Sequence, residues 1–218
     1  MRNFLWTGDP SRSRATTISW EKVCKPLNEG GLGIRRLRDI NSSMLMKLAW
    51  RILIEVDDFA TFMKLKYFSR DGDTCQYYKA SSIWPGVREA LLEVKSRSQW
   101  VIGNGAKADL IRDNWLSSTS LQSSLELTLP QLKGFNAKVN SILVNNNWSI
   151  PLILQNMLDV AGLSIDNVHR GASKQEDYMV WSPDTQGRFT CKSAFDSIRR
   201  KANPQLAGQR VSGTPIFT

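Results

Sequence analysis

Between residues 41 and 94, apolar side chains recur at three- and four-residue intervals in three successive runs, each ending at a polar break. That spacing puts them on one face of a helix, and each such face must be covered by another element. Leu45, Leu48, Ala49, Ile52, Leu53 and Val56 predict a helix over 41–56, with Asp39 or Asn41 able to cap its start. Asp57-Asp58 breaks the pattern and can cap a second helix, whose inward face holds Phe59, Phe62, Met63 and Tyr67 while Lys64 and Lys66 point away. After a polar loop at 69–80, Ser81 or Ser82 opens a third helix, with Pro85 in its first turn and Trp84, Val87, Ala90, Leu91 and Val94 on one face.

Beyond this helical stretch the signals change. Two short β-type runs flank Asn104-Gly105, which predicts a hairpin at about 99–112 because Asn and Gly accept positive φ. Residues 117–147, rich in Ser, Thr and Leu at their start, read as a linker. Pro151 opens a short helix through about Leu158, and a second linker covers roughly 162–176. Tyr178–Trp181, a turn at Ser182–Gly187 and Arg188–Cys191 predict a second hairpin. A final helix follows, with Ala194, Phe195 and Ile198 inward and Arg199, Arg200 and Lys201 in its last turn. The fold class expected is mainly α with short β-hairpins (α+β). A helical unit at 1–116 would be joined by the linker at 117–147 to a small α+β unit at 148–202, with a disordered tail at 203–218.

Composition weakens several catalytic readings. One His (His169) and three scattered Cys (Cys24, Cys75, Cys191) with no Cys-x-x-Cys cannot supply four clustered zinc ligands. There is no phosphate loop, no G-x-S-x-G and no G-x-G-x-x-G. Asp57-Asp58 is the kind of carboxylate pair that holds Mg²⁺, but its place at the end of an amphipathic helix favours capping. Asp71 and Asp73 around Gly72 read as a turn, and His169 as a solvated side chain. No catalytic residue, metal or cofactor is expected. The longest apolar runs are a few residues, too short for a membrane span, and the start lacks a signal-peptide core. An intracellular protein, nuclear or cytoplasmic, is the expectation.

The charge points to a polyanion. There are 29 Lys+Arg against 20 Asp+Glu, a net +9. Residues 1–40 carry eight basic and four acidic side chains. Arg12, Arg14, Lys22 and Lys25 surround Trp20, and Arg35, Arg36 and Arg38 follow Gly30, Gly31 and Gly33. Lys and Arg neutralise phosphates, and an interleaved Trp can stack on an unpaired base. These eight side chains, Arg12, Arg14, Trp20, Lys22, Lys25, Arg35, Arg36 and Arg38, are the candidate nucleic-acid contacts. The competing reading is a solvated basic surface with Trp20 in the core. The other tryptophans read as core anchors.

Several segments together resemble a family. FLWTG at 4–8, ISWEKVCKP at 18–26, EGGLGIRRL at 29–37 and N-x₅-KLAWR at 41–51 are similar to the segment after the polymerase core in plant LINE-type (non-LTR) retrotransposon reverse transcriptases. WVIGNG at 100–105 and DNWL at 113–116 resemble that family's spacer motifs, and DYMVWSPDTQGRFTCKSAFDSIR at 177–199 resembles the start of its zinc-binding region. The resemblance covers about residues 1–200 in order. Nothing here matches the family's aromatic-x-Asp-Asp polymerase motif, its zinc ligands or the ribonuclease H domain of some relatives. The resemblance therefore implies a polyprotein interior ending before the zinc ligands, its first unit thumb-like and its second incomplete.

The leading expectation is a non-catalytic, nucleic-acid-binding remnant of such a reverse transcriptase, contacting RNA or DNA without sequence specificity. A polymerase domain is a further partner that the resemblance implies. The alternative is an orphan structural or protein-interaction fragment with no ligand of its own, its apolar faces at 45–56 and 59–67 made for a polymerase. A third reading is a metal-dependent nuclease using Asp57 and Asp58.

Overall fold

The computed structural model describes residues 4, 7–9, 11–12, 18–55, 57–75, 81–145, 147–168 and 175–199. Its architecture is mainly α with two small antiparallel sheets. The helices are α1 (Trp20–Val23), α2 (Leu37–Ile54), α3 (Asp58–Tyr67), α4 (Trp84–Lys95), α5 (Leu121–Ser124), α6 (Leu152–Ala161) and α7 (Cys191–Ile198). The strands are β1 (Ser98–Val101), β2 (Leu143–Val144), β3 (Asn147–Trp148) and β4 (Tyr178–Trp181). The chain divides into two compact units, residues 1–41 with 198–218 and residues 42–197. These boundaries differ from those expected at 116 and 147.

In the larger unit the three-helix pattern holds, with two changes of face. Helix α2 begins at Leu37, so Asp39 lies within its first turn, where a carboxylate complements the helix dipole. Its buried side chains are Ser43, Met46, Ala49 and Ile52, and the expected Leu45, Leu48 and Leu53 lie half-buried at the margins. Val56 lies outside the described residues. Asp57 caps α3 as expected, accepting from the Ala60 N–H at 2.9 Å, and it pairs with Arg51. The buried face of α3 is Ala60, Met63 and Tyr67, and Phe59 and Phe62 turn outward instead. Tyr67 fixes that rotation by stacking on Trp84, ring centroids 4.1 Å apart and planes 10° from parallel. Helix α4 buries the five side chains expected of it, and Ser81 accepts from the Trp84 N–H at 3.1 Å.

Neither predicted hairpin pairs with itself. Strand β1 pairs antiparallel with β4, in the register Ser98–Trp181, Gln99–Val180, Trp100–Met179 and Val101–Tyr178. The reason lies in the loop that follows β1. The Asp177 carboxylate, 2% exposed, accepts four backbone N–H bonds from it. One oxygen takes Gly103 and Gly105, both at 2.8 Å, and the other takes Lys107 at 2.8 Å and Ala108 at 3.3 Å. The Asn104 N–H also donates to the Gln175 carbonyl at 2.9 Å. A Cβ on Gly103 would run into that carbonyl, so only glycine permits the approach. The loop thus closes around a distant carboxylate, and the chain returns to its own strand only at Asn114, whose carbonyl accepts from the Trp100 N–H at 2.7 Å. In the second case, the Trp181 N–H donates to the Gly187 carbonyl to close the turn, but 188–190 leads directly into α7. The local hairpin that does form is β2 with β3.

The stretch expected as a linker is core. Leu121, Leu132, Val139 and Ile142 are buried with Trp100, Ile102, Ile111 and Trp115, and Leu154 and Leu158 of α6 close the same cluster. Four widely spaced side chains anchor this segment with little regular structure. A second cluster sets Trp50 against Phe189 and Trp181, at centroid distances of 5.3 and 6.1 Å. Arg112, 5% exposed, ties the loops together. It donates to both oxygens of Asp73, at 2.9 and 3.0 Å, and to the carbonyls of Phe135 and Leu132, at 2.6 and 3.1 Å. Burial is the largest single influence and opposes its charge, but the Asp73 hydrogen bonds and the negative charges of Asp73, Asp109 and Asp71 together outweigh it and hold its pKa above the ordinary value. The final helix buries Ala194 fully, with Phe195 and Ile198 half-buried.

Candidate nucleic-acid interface

The smaller unit carries nearly all the net charge. Residues 1–41 and 198–218 hold twelve Lys+Arg and four Asp+Glu, a net +8, while residues 42–197 hold 17 and 16, a net +1. Among the described residues of the smaller unit the balance is seven Lys+Arg against four Asp+Glu, and an excess of this sign favours a polyanionic partner.

Its backbone is a tight reversal. The Ser19 hydroxyl caps α1 by accepting from the Lys22 N–H at 3.4 Å, and Val23 is buried. A 3₁₀ turn at Leu27–Glu29 ends at Gly30, and the chain then folds back on itself. The Leu32 N–H donates to Val23, the Gly33 N–H to Lys25 and the Gly31 N–H to Pro26, at 2.9, 2.9 and 3.0 Å. At Gly31 a Cβ would fall on the Lys25 carbonyl, which explains a glycine there. The reversal sets the arginine segment beside α1, and Arg36 bonds Glu21 at 3.0 Å.

Seven of the eight candidate side chains lie in described residues of this unit; Arg14 lies outside them. Lys22, Arg35 and Arg38 are exposed, and Lys25 and Trp20 are half-buried. Arg12, exposed, sits 3.6 Å from Asp9. Lys22, Lys25 and Arg38 form an ion pair with no described residue. Sequence reasoning missed Arg199, which comes into the unit from the far end of the chain to bond Glu29 at 2.9 Å. The Arg199–Lys201 run, expected in the last turn of the final helix, was the available signal; α7 ends at Ile198, just before Arg199, and Arg200 and Lys201 lie outside the described residues. Burial pushes the Cys24 thiol up, with Asp39 adding to this and Arg36 opposing it, so the thiol stays protonated.

Other candidates are occupied structurally. Asp57 is a cap and Asp73 partners Arg112. His169 lies outside the described residues. Among the described residues, no group of three His, Cys, Asp or Glu side chains converges to hold a metal ion. A cavity of 720 Å³ opens in the larger unit, lined in part by α4 and residues 112–129. Its charges balance, Arg88, Lys95 and Arg112 against Asp73, Asp113 and Glu126, so it offers no net attraction to a polyanion. Among the described residues, no helix is long and apolar enough to cross a membrane.

No protein-family model and no solved structure matches the chain. Two relatives, both from Arabidopsis thaliana, do. One, "Putative ribonuclease H protein At1g65750", is 25% identical over 217 residues, covering 90% of this chain and 33% of the relative. The other, "Uncharacterized mitochondrial protein AtMg00310", is 27% identical over 123 residues, covering 53% of this chain and 78% of the relative. The chain thus spans about one third of the length of the first relative.

Proposed function

We propose that this chain is a nucleic-acid-binding segment of a plant LINE-type reverse transcriptase polyprotein, lying between the polymerase core and the zinc-binding region. In this reading it has no active site of its own. It grips the RNA or DNA backbone through Arg12, Arg14, Trp20, Lys22, Lys25, Arg35, Arg36 and Arg38. The observation that carries the reading is the concentration of charge, a net +8 in the unit that holds all eight. The ordered motifs support the origin, as does similarity across 90% of the chain to a longer plant protein named for ribonuclease H.

Binding of this kind is electrostatic and salt-dependent, because each neutralised phosphate releases counterions. Fluorescence anisotropy with short single-stranded RNA and DNA, over a series of salt concentrations, tests it. Removing Lys22, Lys25 and Arg38 together should shallow the log–log salt slope by about 2, at roughly 0.7 per phosphate contact on a single strand. No binding at low salt, or a slope unchanged in the triple alanine variant, sinks the proposal.

A further inference from the structure

In the smaller, electropositive unit the cations share their surface with apolar side chains that the fold leaves uncovered. Leu27, Leu32 and Leu37 are 77%, 59% and 63% exposed. The backbone reversal gathers the first two around one cation. The Leu32 N–H donates to Val23 and the Gly33 N–H to Lys25, and Leu27 Cγ lies 3.8 Å from where a Cβ on Gly33 would stand. Trp20 lies on α1 of the same unit. The other six described tryptophans are each buried or paired with another ring. Trp20 is half-buried, and among the described residues its ring has no aromatic partner and its indole N–H no acceptor. Three of the unit's four described acids are engaged internally, Asp9 by Arg12, Glu21 by Arg36 and Glu29 by Arg199, which leaves Lys22, Lys25 and Arg38 for an external anion.

Cations beside uncovered apolar and indole surface distinguish between the two forms of a nucleic acid. A duplex turns its phosphates outward and covers each base face with the neighbouring base. An unpaired strand offers phosphates and base faces together, and every base has a π-face that an aromatic ring or an aliphatic side chain can cover. We propose that this unit selects an unpaired strand over a duplex, with Lys22, Lys25 and Arg38 on the phosphates and Trp20, Leu27 and Leu32 against the bases. Such selection rests on the nucleic-acid reading and specifies what its site discriminates.

Fluorescence anisotropy with the full chain tests it on three probes: a single-stranded DNA oligonucleotide, a strand of the same length whose central sites are abasic, and the oligonucleotide annealed to its complement. Affinities are extrapolated along a salt series to about 1 M, where the phosphate contribution vanishes. The wild-type chain should bind the whole strand about tenfold more tightly than the abasic strand, the increment of one stacked base, with the same salt slope. The duplex should fall below the whole strand in the same comparison. Trp20→Ala should remove most of the difference between whole and abasic strands while keeping the slope. Leu27→Ser with Leu32→Ser, on side chains that the fold leaves exposed, should narrow it too. The abasic comparison is made on the wild-type chain, so it decides the question even where a Trp20 variant fails to fold. Equal affinity for whole and abasic strands, or a duplex bound as tightly as the single strand, overturns the selection and leaves the charge-based reading standing. Full discrimination retained in both variants overturns the assignment to these side chains. No binding of any probe at low salt overturns the nucleic-acid reading and the selection together.

Discussion

Replacing Asp177 by Asn tests the principal tertiary tie in the larger unit. The change is nearly isosteric, so it removes hydrogen-bonding capacity and charge without opening a cavity. Both carboxylate oxygens are used, each by two backbone N–H groups. An amide has one accepting oxygen, so in either orientation its NH₂ faces two N–H donors. Two bonds to a charged acceptor are lost, each contributing about 1.5–3 kcal/mol, and the two that remain lose their charge assistance. The expected destabilisation is therefore about 3–5 kcal/mol. With a urea m-value of about 2 kcal/mol/M, that lowers the unfolding midpoint by about 1.5–2.5 M. Tryptophan fluorescence follows the transition, because Trp100 and Trp181 lie in the strands that Asp177 ties together. Asp184→Asn is the matched control. One Asp184 oxygen takes both the Gln186 and Arg188 N–H groups, so an amide can keep both bonds and the cost should stay within about 0.5 kcal/mol. Equal midpoints for the two variants would refute the four-donor argument. So would wild-type Gly103 and Gly105 amides that exchange with solvent as fast as those of an open loop.

Arg112→Lys should cost about 3–5 kcal/mol by denaturation, because a single ammonium in this buried position cannot span Asp73 and the carbonyls of Leu132 and Phe135, and the half-buried Asp73 carboxylate loses its two-pronged partner. Asp109→Asn should behave oppositely. Burial is the main cause that pushes the Asp109 carboxyl above its ordinary 3.8, against the Arg112 and Ile111 N–H bonds that favour its charged form. A native pKa above the unfolded one means that the charged form weakens the fold at neutral pH, and that this penalty is relieved as pH falls through the raised native value. The Asn variant keeps an oxygen for the two N–H groups, so its advantage over wild type should be greatest at neutral pH and shrink on acidification. Urea titrations at several pH values check this.

The parts of the fold legible in the sequence are those set by local physics. Helix α4 has a capping serine, a proline in its first turn and apolar side chains on one face only, so its start and buried face could both be read. Helix α3 is short and carries apolar residues nearly all round. Its rotation depends on Tyr67 stacking on Trp84, a partner in the next helix, and periodicity alone could not separate Phe59 and Phe62 from Met63. The Asn104-Gly105 signal correctly marked a reversal, yet the strand pairing was decided by Asp177, some seventy positions away. The 117–147 stretch looked like a linker because its core side chains are sparse and aperiodic. At the candidate interface, the local run from Arg12 to Arg38 was visible, but the return of Arg199 to Glu29 depends on the chain's long-range path.

Photocrosslinking a single-stranded RNA to the full chain, followed by mass spectrometry of the linked peptides, tests the proposed function most directly. If the electropositive unit holds the nucleic acid, crosslinks concentrate in peptides spanning residues 12–38, with Trp20 among the linked side chains. Crosslinks confined to peptides from residues 42–197 would contradict it.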